Sequence, residues 1–403
     1  MSGGELKVLH VIPAVAPRYG GPSRAVFDMC RPLPERGARV LIATTDADGG
    51  GCLPVELGRE VEYNGIPTIF FSRQFSEAFK YSAPMARWLS RNVAAFDVVH
   101  IHAVFSHACL AAARACRRRG VPYIVRPLGT LDPWGMRQKP LRKRLFMRLG
   151  VDAMLRGAAA IQYTAAGEKV AVEGALGYGK GVVIPLGIEG ASAAAGPLTG
   201  GGEGPPGVPA EGPYILFLSR LHHKKGLELL LEAFVPLALT GELSGWRLVV
   251  AGDGDPSYVA GLKQKARALG GEDQVSFVGW LDGKAKARAL DGASLLALPS
   301  YQENFGICLV EAMARGVPLV ISPQVNLAPD VEEGGAGWVA GLDVDSLRAA
   351  LRESMLDGEE RRRRGGAGRK LAERFSPAET SRQLLDLYRE IMAARERLRP
   401  AAS

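Results

Sequence analysis

Residues 295–318 read Leu295-Leu-Ala-Leu-Pro-Ser-Tyr-Gln-Glu303-Asn-Phe-Gly306-Ile-Cys-Leu-Val-Glu311-Ala-Met-Ala-Arg-Gly316-Val-Pro318. The opening apolar run, Leu295–Pro299, predicts a buried strand. Ile307–Arg315 predicts an amphipathic helix closed by Gly316. Glu303 then falls in the loop above the strand, and Glu311 about a turn and a half into the helix. The helix N-terminus near Asn304, Phe305 and Gly306 offers unpaired N–H groups and partial positive charge, which suits phosphate. Glycine at 306 permits close backbone approach. A bland reading is also open, with Glu303 an ordinary loop residue and Glu311 a carboxylate on a helix surface. The full string S-x-x-E-x-F-G-x-x-x-x-E-A-M-A-x-G-x-P favours the functional one.

The same strand–helix alternation extends in both directions and predicts α/β units around parallel sheets. In the first half the predicted strands are Lys7–Ile12, Arg39–Ala43, Thr68–Phe71, Val98–His102, Tyr123–Arg126, Ala159–Tyr163 and Val182–Pro185, with helices at Pro22–Leu33, His107–Arg119 and Leu141–Arg156. Gly190–Gly212 is a tract of Gly, Ala, Pro and Ser with almost no large apolar residue, and reads as a linker. Beyond it the alternation restarts at Tyr214–Ser219. The expected organisation is a domain over 1–189, a linker over 190–212, a second domain over 213–375 and a terminal helix over 376–403. Two such domains hold a ligand in the cleft between them, and each binds beyond the carboxyl ends of its strands.

Bulk properties fit this division. The 403 residues are 47% hydrophobic and 23% charged, ordinary for a soluble protein of two domains. No run of about 18 apolar residues predicts a spanning helix. The first residues lack the basic-then-apolar pattern of a signal peptide. Cys30, Cys52, Cys109, Cys116 and Cys308 show no C-x-x-C pair and read as buried small hydrophobes in a reducing compartment, hence the cytoplasm. The net charge of +8 suggests an anionic partner without choosing one. Residues 137–156 carry Arg137, Lys139, Arg142, Lys143, Arg144, Arg148 and Arg156 against a single acid, Asp152.

Ser219-Arg-Leu-His-His-Lys-Lys-Gly226 directly follows the strand residues Tyr214–Leu218. Two cations five residues apart, with glycine opening a helix, suit a pyrophosphate: Arg220 as a fork, Lys225 as a point charge. A plain basic loop is the alternative. Ala251-Gly-Asp-Gly-Asp255 and Phe277-Val-Gly-Trp280 end two further strands, placing Gly252 and Gly279 at turns. All four motifs lie at strand ends of one domain.

Together these strings resemble the E-x7-E signature, R-x4-K-G pattern and G-x-G turn of the family-4 retaining glycosyltransferases, and the similarity extends over nearly the whole chain. The resemblance implies the GT-B fold: two Rossmann-like α/β domains facing each other across a cleft, with the C-terminal helix packing back on the N-terminal domain. It implies that Glu303 contacts the donor sugar, Glu311 binds the donor ribose hydroxyls, and Arg220 and Lys225 bind the diphosphate. An all-helical path from Glu303 to Glu311 would span about 12 Å, comparable with the reach from sugar to ribose. Residues 213–375 become the donor domain and 1–189 the acceptor domain. A UDP-sugar ranks first as donor and a GDP-sugar second, with no cofactor and no metal required.

In the first half, Pro17-Arg-Tyr-Gly-Gly-Pro-Ser23 places Gly20 and Gly21 between a strand and a helix. They match the family's phosphate-approaching G-G loop, though an ordinary glycine turn fits equally; the string is not a P-loop. His100 and His102 lie two apart on a strand and share a face. Zinc would need a third ligand, and His107 lies beyond the strand end. The resemblance puts His102 near the donor sugar as a catalytic residue. One position departs from the family: Leu128 stands where many relatives carry a sugar-contacting histidine. Either His102 or Arg126 compensates, or the sugar sits differently. Asp132 and Trp134, with Arg126, are acceptor candidates. Leu141, Leu145, Leu149 and Leu155 recur near helical spacing among arginines. They read either as a half-buried helix with a basic outer face, or as a contact with an anionic membrane at the inner face of the cell.

The activity implied is transfer of a sugar from a nucleotide diphosphate donor to a carbohydrate or lipid-linked acceptor, in cell-surface polysaccharide or glycoconjugate synthesis. A nucleotide-sugar 2-epimerase and a non-catalytic nucleotide-sugar binding protein are the rivals. Nucleic acid is not expected as a partner, since the basic segment lacks interleaved aromatics.

Overall fold

The computed structural model describes residues 5–137, 140–177, 179–191 and 205–398, apart from the side chains of Pro22 and Trp134. Most of the expected linker, 192–204, therefore lies outside the described residues. The chain divides into two compact units, Met1–Gly187 with Pro377–Ser403, and Ile188–Ser376.

The first unit contains β1 (Leu6–Ala14), β2 (Ala38–Thr45), β3 (Ala47–Asp48), β4 (Gly51–Cys52), β5 (Glu60–Tyr63), β6 (Ile66–Phe71), β7 (Val98–His102), β8 (Tyr123–Arg126), β9 (Ala160–Tyr163) and β10 (Gly181–Val183). Eight of them form a sheet ordered β10-β9-β8-β7-β1-β2-β6-β5. All neighbours run parallel except β5, which pairs antiparallel with β6. Every residue of β7, β8 and β9 is buried, as expected of strands covered on both faces. The C-terminal helix, Pro377–Leu398, belongs to this unit. Its Leu384, Leu385 and Tyr388 are buried, and the Tyr388 hydroxyl meets His100 Nδ1 on β7 at 2.8 Å.

The second unit contains β11 (Tyr214–Leu218), β12 (Arg247–Ala251), β13 (Val275–Gly279), β14 (Leu295–Leu298), β15 (Leu319–Ile321) and β16 (Gly337–Val339). They form one parallel sheet ordered β13-β12-β11-β14-β15-β16. The chain builds outward from β11 in one direction, then returns through β14 and builds in the other. The strand order thus reverses between β11 and β14, and the loops leaving these two strands diverge there. A crevice opens at such a reversal, at the carboxyl ends of the strands. In the first sheet the equivalent reversal lies between β1 and β7.

One predicted helix is corrected. Leu141–Arg156 is not continuous: it divides into Pro140–Phe146, a wide π-type turn at Met147–Val151, and Asp152–Gly157. Gly150, with φ 153°, is the break, because only glycine adopts that backbone cheaply. Leu141, Leu145 and Leu149 are 79%, 56% and 58% exposed, whereas Leu155 is buried. The half-buried reading of this stretch therefore fails for its first three leucines. The cysteine reading is corrected at two positions. Cys30, Cys109 and Cys116 are buried, but Cys52 is exposed and Cys308 is half-buried.

Candidate active site

The loops leaving β11, β12, β14 and β15 interlock at one edge of the second sheet. Leu221 forms a parallel bridge with Gly254, and Glu303 forms one with Val325. The Tyr301 N–H donates to the Lys224 carbonyl at 2.8 Å, tying the loop after β14 to the turn after β11. Two glycines make this contact possible. A Cβ at Gly226 would lie 2.0 Å from the Pro299 carbonyl oxygen, and one at Gly252 would lie 1.8 Å from that of Ser219. Both also hold positive φ, 71° and 148°, so any other residue would be strained as well as blocked.

Lys225 closes the turn after β11 and is only 7% exposed. Its ammonium is ion-paired with Glu303, which stands in the loop after β14. The two side chains therefore meet across the point where the strand order reverses. A buried lysine is costly unless a counter-charge is held beside it, and Glu303 is that counter-charge. Glu303 Oε1 also accepts from the Asn304 N–H at 3.1 Å, while Asn304 Oδ1 accepts from Asn326 Nδ2 at 3.3 Å. The helix Ile307–Ala314 begins four residues after Glu303. The all-helical path between the two glutamates is thus not realised; only Glu311 is helical. Glu311 is ion-paired with Lys286 Nζ at 2.5 Å. The Cys308 thiol is pushed up to about 12, first by burial and then by the charges of Glu303 and Glu311.

The remaining predicted residues of this unit divide by environment. Arg220 is exposed at the end of β11. Gly252 donates its N–H to the Gly279 carbonyl at 2.7 Å, which joins the ends of β12 and β13. Gly306, at φ 74°, caps the helix. Phe305 is 4% exposed and packs edge-on against Phe375, so its ring serves the core. Trp280, just beyond Gly279, is 63% exposed. Lys286 was missed by sequence reasoning. Nothing in the spacing distinguishes it from other helix-surface lysines, and only the packing of two helices brings it to Glu311.

In the first unit, Gly20 and Gly21 are exposed at the loop after β1, with Gly20 at φ 74°. Tyr19 beside them donates to Glu77 Oε1 at 2.6 Å and accepts from the Gly49 N–H at 2.8 Å, which fixes the loop. His102, expected to be catalytic, is internal to the first unit. His102 is fully buried; its Nε2 lies 2.9 Å from His10 Nδ1, and its Nδ1 faces Arg126 Nη1 at 3.5 Å. Both ring nitrogens face protein partners. Arg126, 2% exposed, is likewise internal. Asp132 is 6% exposed and accepts from the Gly135 N–H at 2.5 Å, capping the short helix Pro133–Arg137. The Trp134 side chain lies outside the described residues.

The third histidine sought in the sequence is His10 on β1, not His107. His10 and His100 are register partners, and one nitrogen of each of His10, His100 and His102 lies within 4.8 Å of the others. Arginine can only donate. Arg126 therefore assigns the lone pair of His102 to Nδ1 and the hydrogen to Nε2, directed at His10. His102 thus donates to His10, while His100 Nδ1 pairs with the Tyr388 hydroxyl at 2.8 Å. Burial first, and the Arg126 charge after it, hold His10 down to about 3. Burial first, then neighbouring imidazoles and Arg126, hold His100 and His102 well below the usual range.

Two α/β units with largely parallel sheets that reverse their strand order define a doubly wound class of fold. Residues 204–371 match the family model for glycosyl transferases group 1, and residues 20–187 match that for the glycosyl transferase 4-like domain. Residues 204–371 thus belong to the group 1 glycosyltransferase family, and residues 20–187 carry the glycosyl transferase 4-like domain. It is 33% identical over 195 residues to the D-inositol 3-phosphate glycosyltransferase of Saccharomonospora viridis, covering 47% of this chain and 45% of that one. It is 31% identical over 216 residues to the phosphatidyl-myo-inositol mannosyltransferase of Mycolicibacterium smegmatis, covering 53% of each. The matches thus span about half the length of these curated relatives. Among solved structures, the Anabaena protein HepE in complex with UDP superposes with a TM-score of 0.73 at 20% identity, over 96% of this chain and 100% of that one. Sucrose-phosphate synthase from Thermosynechococcus elongatus gives 0.72 at 19%, over 96% and 100%. The fold is GT-B.

Proposed function

We propose that this chain is a retaining glycosyltransferase that moves a sugar from a nucleotide diphosphate donor to a carbohydrate or lipid-linked acceptor. The observation that carries the reading is the buried Lys225–Glu303 pair, set where the second sheet reverses its strand order. Lys225 supplies a desolvated positive charge to the departing diphosphate, and exposed Arg220 adds a second. Both act where negative charge grows, the most effective place for preorganised charge. The helix tip at Gly306 faces the same charge. Glu303 orients the sugar, and Glu311 takes the ribose hydroxyls. The C1–O bond to phosphate breaks while the acceptor oxygen joins C1 on the same face, and the acceptor proton passes to the leaving phosphate oxygen. The two cations stand in place of a metal.

UDP is the favoured nucleotide, since UDP is bound by HepE, a protein of the same fold, and GDP is the second choice. Among the described residues no helix is long and apolar enough to cross a membrane. The exposed leucines at 141, 145 and 149, set among Arg142, Arg144 and Arg148, instead form a peripheral contact with an anionic membrane at the cytoplasmic face. A thermal-shift panel of nucleosides, nucleotides and nucleotide sugars tests the reading. Stabilisation by diphosphates and their sugars, with none from nucleosides, is the expected pattern, because only ligands of the folded state stabilise it. No shift from any diphosphate overturns it.

A further inference from the structure

The helices Gly283–Asp291 and Ile307–Ala314 are joined by two ion pairs. Lys286 Nζ meets Glu311 Oε1 at 2.5 Å, and Arg315 Nε meets Asp291 Oδ1 at 3.0 Å. The two pairs look alike but sit at opposite ends. Each helix follows a parallel strand and starts at the carboxyl edge of the sheet. Lys286 is the fourth residue of its helix and Glu311 the fifth of its own, so this pair lies toward the ligand edge. Asp291 ends the first helix and Arg315 caps the second, so that pair lies toward the far edge.

The Glu311 side chain is 15% exposed, and that of Lys286 is 26% exposed. A carboxylate so enclosed has few orientations, and Lys286 selects among them by taking Oε1. Oε2 is the oxygen that Lys286 does not take. An accepting carboxylate oxygen flanked by a cation suits a pair of neighbouring hydroxyls, and would repel a phosphate ester on the same ring less than a bare carboxylate does. We infer that Lys286 is a positioning residue for Glu311, fixing the carboxylate that the donor-site reading assigns to the 2′,3′-diol of the donor ribose. The inference rests on the donor-site reading above, and it adds a specificity determinant to it.

The experiment compares UDP with 2′-deoxy-UDP, and GDP with 2′-deoxy-GDP, by calorimetric titration of the full-length wild-type chain, Lys286→Met, Lys286→Arg and Arg315→Met. Wild type should favour the ribonucleotide by about tenfold or more, the size expected for one hydrogen bond to a charged acceptor. Lys286→Met should bring the two ligands to within about twofold, and Lys286→Arg should restore most of the preference. Arg315→Met breaks the far pair and the hydrogen bond from Arg315 Nη1 to the Glu311 backbone carbonyl, but leaves the Lys286 contact to the Glu311 carboxylate, and should keep the wild-type ratio even if the fold is weakened. A ratio unchanged in Lys286→Met, or lost equally in Arg315→Met, overturns the inference and reduces the pair to helix packing. Wild type that binds none of the four diphosphates refutes the donor-site reading instead.

Discussion

Glu303 and Lys225 illustrate how one ion pair ties stability to chemistry. Removing one partner of a buried pair leaves the other charge stranded, at a cost of about 3–5 kcal/mol. Alanine at 303 would thus confuse unfolding with lost function, whereas glutamine keeps the shape. Glu303→Gln should lower kcat by about a hundredfold or more, with the Kd for the free nucleoside diphosphate held within about threefold; steady-state kinetics and titration check both. Gly252→Ala acts only through structure. With its Cβ directed at the Ser219 carbonyl, it should lower unfolding stability by at least about 2 kcal/mol, read from the midpoint in urea. These glycines were legible as turn residues in the sequence, but not as the point where two loops touch. The Lys225–Glu303 contact joins residues 78 apart and depends on the order of strands. Spacing along the chain carries no record of that order.

At the scale of elements, legibility followed local signal. Val98–His102, Tyr123–Arg126 and His107–Arg119 were read to the residue, because each is an apolar run with a sharp polar or glycine boundary. The edge strand Glu60–Tyr63 was missed, since it alternates exposed glutamates with two half-buried residues and is paired only on one side. The break at Gly150 was missed because leucines on either side keep a helical rhythm through it. The resulting leucine face supplies a clean test. Leu141→Ser, Leu145→Ser and Leu149→Ser together should leave stability within about 0.5 kcal/mol, as surface changes do. Binding to vesicles containing phosphatidylglycerol should fall at least about tenfold, by loss of buried apolar area. Equal flotation of variant and wild type would return this segment to an ordinary surface.

The histidine network shows what the whole molecule adds. His10, His100, His102, Arg126 and Tyr388 come from three strands and the C-terminal helix, with up to 288 residues between partners. No reading of a strand pair could assemble them. Their titration predicts how the first unit responds to acid. The folded pKa of each histidine is depressed below its unfolded value of about 6.5, so the neutral form is the stable one. The associated stability is fully present above about pH 6.5 and falls as the pH drops below it, by up to about 1.4 kcal/mol per pH unit for each histidine. Denaturation between pH 7 and pH 5 should show this slope, and His10→Asn should reduce it. A stability flat across that range would mean that the cluster accepts protons without cost.

The central claim remains that a diphosphate is held beside Lys225 at the reversal of the second sheet. Titration of UDP, UMP and uridine, and of the guanosine series, into wild type and Lys225→Met tests it most directly. The account predicts that wild type binds one diphosphate at least about tenfold more tightly than its monophosphate, the nucleoside binding weakest. Lys225→Met, which also frees Glu303 to repel phosphate, should abolish that difference. Diphosphate binding that survives Lys225→Met at full strength, in a folded protein, would contradict it.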